Sequence, residues 1–397
     1  MQRFHAPHRR WILAGVSAAS LGAHARETIQ MLPPRVEGET QATADHVRQV
    51  IEQGIQTWGI NLRNSKPGMR LVTNLTSGTN AHLILEALLL PDSGETPIFR
   101  KNYHAPRRFL DRMLTRLVDD LSQHVNGRRT PALSKMIAVR EEGHGVSEIV
   151  LTDAAGSMVR PLTHHRSLSL YPTSVRNGRF AYVTYVSGPP EIWGMDLGNR
   201  KPRKLYSSPP GRGTPSHPTL SQDGKTLAFV ESDKTGRTVI RLLDWDTGES
   251  KDLTQARAEF EAPSWSPNGQ RLACLQKTTP TTSLVILTRT GAELQRYAIP
   301  GLIAETPAWN PSSDQIAFVA KGSGGASEIR TVDLSSGIAQ TLFASESPIS
   351  SPRWNPTLPW LAFARVRGGL QLLNVESREC HSVQGGSESH RSPRWVW

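Results

Sequence analysis

Ala262-Pro263-Ser264-Trp265-Ser266-Pro267-Asn268-Gly269-Gln270-Arg271-Leu272-Ala273-Cys274-Leu275 places a proline-led aromatic segment, a Pro-Asn-Gly turn and a second apolar run in direct succession. A Gly-containing turn between two apolar runs is the sequence form of a hairpin. The leading segment recurs as Tyr171-Pro172-Thr173, His217-Pro218-Thr219-Leu220-Ser221, Thr306-Pro307-Ala308-Trp309-Asn310-Pro311, Ser351-Pro352-Arg353-Trp354-Asn355-Pro356 and Ser392-Pro393-Arg394-Trp395. The copies lie 41 to 46 residues apart. Such a period denotes one supersecondary unit repeated and stacked.

The second strand is nearly constant: Phe180-Ala181-Tyr182-Val183, Leu227-Ala228-Phe229-Val230, Leu272-Ala273-Cys274-Leu275, Ile316-Ala317-Phe318-Val319 and Leu361-Ala362-Phe363-Ala364. A third run follows, as in Val239-Ile240-Arg241-Leu242, and then a short fourth such as Lys251-Asp252-Leu253-Thr254. Four strands make a sheet with both faces wet, so each sheet must pack on its neighbours, and a closed ring satisfies all of them. The expected fold is mainly β, a β-propeller. Met136-Ile137-Ala138-Val139 is a second-strand copy with no Pro-x-Trp segment before it, whereas Ser392-Pro393-Arg394-Trp395 has no second strand after it. Joined, the two halves close six blades, with Trp395 and Trp397 as closure residues.

Upstream, Arg9-Arg10 precede the apolar stretch Trp11 to Leu21 and then Ala23-His24-Ala25, the pattern of an export signal over residues 1–25. His8-Arg9-Arg10-Trp11-Ile12-Leu13 partly matches a twin-arginine signal, and the sequence leaves the Sec and twin-arginine routes both open. The mature protein is expected to be exported, soluble and monomeric. Loss of the leader removes three arginines and no acid, lowering the formal net charge from +11 to +8. The excess is spread along the chain without interleaved aromatic and basic blocks, which argues against a nucleic-acid partner. Cys274 and Cys380 fall on non-adjacent blades, beyond the roughly 7 Å reach of a disulfide, and are expected as two buried free thiols.

Residues 26–128 carry no trace of the repeat and predict a small α/β domain ahead of a propeller over 129–397. Val47, Val50, Ile51, Ile55 and Trp58 share a face of a helix from Ala42 to Trp58. Two strands are expected near His82 to Leu89 and Pro97 to Tyr103. A second helix starts around Pro106, whose ring suits a first turn, and stops at Asn126-Gly127.

This exported α/β domain followed by six blades of Pro-x-Trp-Ser-Pro-x-Gly and Leu-Ala-Phe motifs resembles the TolB family, periplasmic propellers of the Tol-Pal system with WD40-like repeats. The most specific stretch runs from Arg107-Arg108-Phe109-Leu110 through Glu148-Ile149-Val150-Leu151-Thr152-Asp153 to Leu162-Thr163-His164-His165-Arg166-Ser167-Leu168. Ser174 and Leu220 replace the motif Trp in the second and third blades, Gln222 replaces a motif Pro, and the family's opening apolar strands are not discernible. The resemblance implies a non-catalytic adaptor that binds Pal, a peptidoglycan-associated lipoprotein, on the propeller and contacts TolA through the N-terminus, here about Arg26 to Gly38. Its role would be outer-membrane integrity and constriction at division, with membranes reached only through partners.

Aligned positions give the candidate binding residues. Two residues before the motif proline stand Leu170, Ser216, Glu261, Glu305, Ser350 and Arg391; one residue before it stand Tyr171, His217, Ala262, Thr306, Ser351 and Ser392. One of these sets should ring the channel mouth, and His164, His165 and Arg166 join it by resemblance. The paired His can also be read as a metal or proton site, but with no carboxylate or Cys at ligand spacing the reading as ordinary turn residues is favoured. Neither Gly-x-Ser-x-Gly nor His-Glu-x-x-His occurs, and no catalytic residue, cofactor or metal is expected. Two alternatives stay open: a lactonase-like hydrolase with a metal near Glu261 and Glu305, which would need six to eight oxygen ligands for calcium, and a divergent scaffold with another partner.

Overall fold

The computed structural model describes residues 29–60, 68–92, 94–233, 235, 237–255, 259–278, 281–299, 301, 307–383 and 389–397; the expected leader and the candidates Glu305 and Thr306 lie outside the described residues. In the N-terminal part, β1 (Ile29–Met31) and β2 (Arg35–Glu37) precede α1 (Gln41–Thr57), followed by β3 (Met69–Ser77), β4 (His82–Pro91), β5 (Phe99–Pro106) and α2 (Leu110–Asn126). Thr40 caps α1 by accepting from the Thr43 amide at 3.3 Å, and α2 ends at Gly127, whose φ of 69° supplies the left-handed turn. Both helices pack on one face of a five-stranded sheet, against alternate residues Leu71 and Leu75 of β3 and Leu83, Leu85, Ala87 and Leu89 of β4.

The sheet has three more strands than the sequence suggested. β1 and β2 pair in parallel with β3, so two short opening strands are present that the sequence did not display. Each spans only three residues, too short for a period-two pattern to register. β3 does alternate buried and half-buried residues, and was legible in principle.

Six four-stranded sheets follow. Blade 1 is ordered closing strand (His390–Trp395), β6 (Lys135–Gly143), β7 (Val146–Asp153), β8 (Val159–Pro161). The closing strand runs antiparallel to β6, with His390 opposite Arg140, Arg391 opposite Val139, Arg394 opposite Ile137 and Trp395 opposite Met136. The ring therefore closes between the two ends of the repeat array. Among the described residues, no helix is long and apolar enough to cross a membrane.

The motif residues recur because each does a job between blades. Tyr182, Phe229, Cys274, Phe318 and Phe363 hold equivalent positions on the second strands and are fully buried, which explains the near-constant Leu-Ala-Phe signature. The indole N–H of Trp309 donates to the Ser264 carbonyl at 2.9 Å, and that of Trp395 to the Arg353 carbonyl at 3.0 Å, so each ring is stitched to the same motif position of the preceding blade. Ser266 and Asn355, just after the Trp, accept backbone N–H groups of the turn that follows. Blade 2 lacks a motif Trp; beside Ser174, the Trp397 amide donates to the Val175 carbonyl at 3.2 Å and the Arg176 guanidinium covers the Trp397 ring at 3.5 Å. Arg176 in turn donates to Gln222 at 2.6 Å, so the departures at Ser174 and Gln222 belong to one local arrangement.

The α/β domain docks on blade 6 and blade 1. Trp58 meets Trp360 edge-on at 5.6 Å and lies near His381, Arg128 pairs with Glu376, and Asp119 accepts the Thr130 amide at 2.8 Å. Trp360 and Glu376 stand at the end of blade 6 where its inner strand finishes, so the domain caps the face opposite to strand entry. Cys274 and Cys380 are free, as expected, but Cys380 is only half-buried because it lies on a short outer strand.

Between blades 2 and 3, Trp245 packs flat against Gly194, where a Cβ would fall 2.5 Å from the ring and 2.6 Å from Leu205. Gly194→Ala should therefore overpack the contact and cost about 1–3 kcal/mol in a denaturant melt. An unchanged midpoint would show that Trp245 can move aside.

Candidate functional site

A proline cannot donate to a β ladder, so a strand that carries one must bulge or lie at an edge. Here the inner strands bulge. Ser216 faces Val230 but Thr219 faces Ala228; the same two-against-one step falls between Glu261 and Ser264, Ser350 and Arg353, and Arg391 and Arg394. The residue before the proline takes a left-handed conformation each time it is described: φ is 51° at Tyr171, 48° at His217, 50° at Ala262, 55° at Ser351 and 50° at Ser392. Each such non-glycine residue carries about 1–2 kcal/mol of local strain. Bulges of this kind re-aim side chains, and they recur beside binding sites.

At two of these positions the side chains meet across neighbouring blades. Tyr171 and His217 lie on adjacent blades, yet their rings meet at 4.3 Å, tilted by 36°. His217 also feels the charges of Glu261 on blade 4, Arg353 on blade 6 and Arg394 on blade 1, which only a position inside the channel allows. Burial, together with Arg394 and Arg353 and partly opposed by Glu261, pushes the His217 imidazole down to about 4. It is neutral at physiological pH, with its Nδ1 3.2 Å from the Ser216 hydroxyl.

Around this pair, Glu261 accepts from Lys277 at 2.7 Å and Arg391 pairs with Glu141 at 2.9 Å at the rim. Ser351 is buried, whereas Ser350 is half-buried. Arg353 and Arg394, the central residues of two Pro-x-Trp motifs, are buried and donate back to the carbonyls of Pro352 and Pro393 at 2.6 and 2.9 Å. Thr173, Thr219 and Ser264 hold the same position on blades 2, 3 and 4, so one side of the throat is cationic and the other hydroxylic. With Trp265, Trp309 and Trp397 these residues line a narrow space of about 50 Å3, room for a few waters.

Sequence comparison had passed over Lys277, Arg353 and Arg394. Lys277 has no repeat signature, and the central motif position varies from blade to blade, which hides its shared placement. His164, His165 and Arg166 stand apart from the axis. His165 bonds to the Tyr182 hydroxyl at 2.7 Å and meets Trp193 edge-on at 5.3 Å, between blades 1 and 2. Burial holds its imidazole below the ordinary range. The turn is fixed by buried Glu148, which accepts the Arg166 amide at 2.7 Å and the Thr163 hydroxyl, leaving His164 and Arg166 exposed.

Residues 123–396 match the family model of the TolB beta propeller domain. The chain belongs to this family. It is 29% identical over 184 residues to the "Protein TolB homolog" of Chlorobium luteolum, a match covering 45% of this chain and 40% of that protein. With the "Tol-Pal system protein TolB" of Desulfotalea psychrophila it shares 26% over 159 residues, 40% of this chain and 36% of the relative. The matched stretch thus spans only about two fifths of the length of these curated relatives. The crystal structure of TolB from Acinetobacter baumannii superposes over 94% of this chain and 98% of its own, with a TM-score of 0.71 and 15% identity, which shows a shared two-part fold.

Proposed function

We propose that the protein is a non-catalytic periplasmic adaptor of a Tol-Pal system, and that its propeller mouth receives a Pal-like peptidoglycan-associated lipoprotein. The observation that carries this reading is the mouth itself. Five residues that precede a motif proline, each on a different blade, are left-handed, and an aromatic pair, Tyr171 and His217, sits beside Glu261. Such a ring offers backbone strain already in place, hydroxyls, an ion pair and a flat apolar surface, which suits capture of a polypeptide loop. The throat is far below the roughly 300–1,000 Å3 of a small-molecule site. Its cationic side is also poorly placed to hold the metal that a lactonase-like reaction requires, and among the described residues no three His, Cys, Asp or Glu converge.

The link to a TolA-like partner falls to the α/β domain. Of the segment aligned by position with the family's TolA-binding terminus, Ile29 and Met31 are buried in the sheet, whereas Arg35 and Glu37 of β2 are exposed. Contact would therefore run along β2 or through its release from β3. Together the two contacts place the protein between outer-membrane and inner-membrane partners, in support of envelope integrity and constriction at division.

Binding of a purified Pal-like lipoprotein domain tests the mouth. Glu261→Lys should weaken capture about tenfold, the scale of one lost charge pair at a partly desolvated interface. Because His217 is already neutral, affinity should stay flat between pH 6.5 and 8. Full affinity in Glu261→Lys would remove that residue from the interface, and no capture by the unsubstituted protein would overturn the adaptor reading.

A further inference from the structure

We propose that His390 is an acid-sensitive latch on the seam that closes the ring: on protonation, the closing strand loosens from β6 and from blade 6. The seam is where such a device can act. In blades 3 to 6 a short turn links the inner strand to the second strand, whereas in blade 1 the corresponding pair comes from opposite ends of the repeat array. Local opening there breaks one strand's ladder without unravelling a hairpin.

His390 lies at the start of that strand and is 2% exposed. Neither of its ring nitrogens has a hydrogen-bond partner among the described residues. A buried imidazole without a partner is costly and rarely retained by chance. Its register partner is Arg140, and alternation along the ladder puts it on the same side of the seam as Met136 and Trp395. Blade 6 meets that side with Trp360, Ala362, Ala364, Leu370 and Leu372, none of them charged. The nearby acids are engaged elsewhere, Glu142 with Arg140, Glu141 with Arg391, and Glu148, opposite Arg140 on β7, with the Thr163 hydroxyl and the Arg166 amide. A proton on His390 would thus add a cation beside a cation, with no carboxylate to receive it.

Burial first, and Arg140 second, hold the imidazole below its ordinary value of 6.5. The unfolded or opened strand then binds the proton more readily than the closed one. Seam stability is therefore complete above about pH 6.5 and falls as the pH drops below it. His165, His217 and His381 shift in the same direction elsewhere in the chain, so a global melt cannot assign the effect.

Hydrogen–deuterium exchange of the whole protein, read as protection factors for 389–397 and 135–143 at pH 7.5 and pH 5, separates them. In the unsubstituted protein the seam should lose about tenfold in protection at pH 5, while the second strands of blades 3 to 5 lose less. His390→Gln should hold its seam protection across that range. Arg140→Gln, which keeps His390 but removes the opposing cation, should shrink the loss, and it carries the test if His390→Gln fails to fold. Equal protection at both pH values, or an undiminished loss in the folded variants, would overturn the proposal.

Discussion

Deletion of residues 390–397 should leave a chain that no longer melts as a cooperative unit and that is cleaved by protease under native conditions. The segment is the inner strand of blade 1, and without it β6 is exposed along its length, including the fully buried Met136, Ile137 and Ala138. Trp395 is 1% exposed; at about 25 cal/mol per Å2 over roughly 200 Å2, its burial alone is worth on the order of 5 kcal/mol. Whole domains are stable by only about 5–15 kcal/mol, so this loss competes with the total. The indole bond to the Arg353 carbonyl and the Val396 amide bond to Lys135 at 2.9 Å go with it. Circular dichroism melts of the truncated chain, alone and with a synthetic 389–397 peptide added, read the result. Partial recovery with the peptide is expected, because the missing strand is supplied in trans. A truncated chain with the full-length melting profile would mean that the ring does not depend on its seam.

Much of this architecture was legible because its causes are local and repeated. A proline must bulge an inner strand, a tight turn must follow the motif, and the second strand must be apolar on both faces, so each blade rewrites the same constraints. The seam followed from two incomplete copies, Met136 to Val139 and Ser392 to Trp395. What escaped had its cause elsewhere in space. β1 and β2 are defined by parallel pairing with β3 across more than a helix, and three residues cannot display a period. The sequence offered two candidate sets for the mouth, and it did not show that the residue before each proline takes a positive φ. His164, His165 and Arg166 came from resemblance alone, and the structure sets His165 between blades. Cross-blade partners such as Glu148 and Arg166, or Tyr206 and Glu231, leave no sequence signal, because nothing in their spacing records the packing of one blade on the next.

That last pair carries the second large effect. Glu231, on the second strand of blade 3, is 1% exposed and accepts from the Tyr206 hydroxyl at 2.6 Å, the Ser208 hydroxyl at 2.7 Å and Arg241 Nη1 at 2.8 Å. Tyr206 and Ser208 belong to blade 2, so one carboxylate ties two blades together where motif residues do not reach. Burial, and then the bond to Glu231, push the Tyr206 hydroxyl well above its ordinary range, which keeps it a donor. Glu231→Ala removes the acceptor, leaves the Tyr206 hydroxyl facing a void, and leaves the buried Arg241 guanidinium with exposed Asp252, 3.0 Å from its Nε, as its remaining carboxylate. Stranding one partner of a buried ion pair costs about 3–5 kcal/mol, which should appear as a large fall in denaturant midpoint. Glu231→Leu combined with Arg241→Met should recover much of the loss, since replacing both charges with apolar groups of similar volume avoids an uncompensated cation. If Glu231→Ala instead lies within about 1 kcal/mol of the unsubstituted protein, the scale of an exposed pair, the network is solvated in solution and blades 2 and 3 are held by their other contacts, among them Trp245 on Gly194 and Arg176 on Gln222.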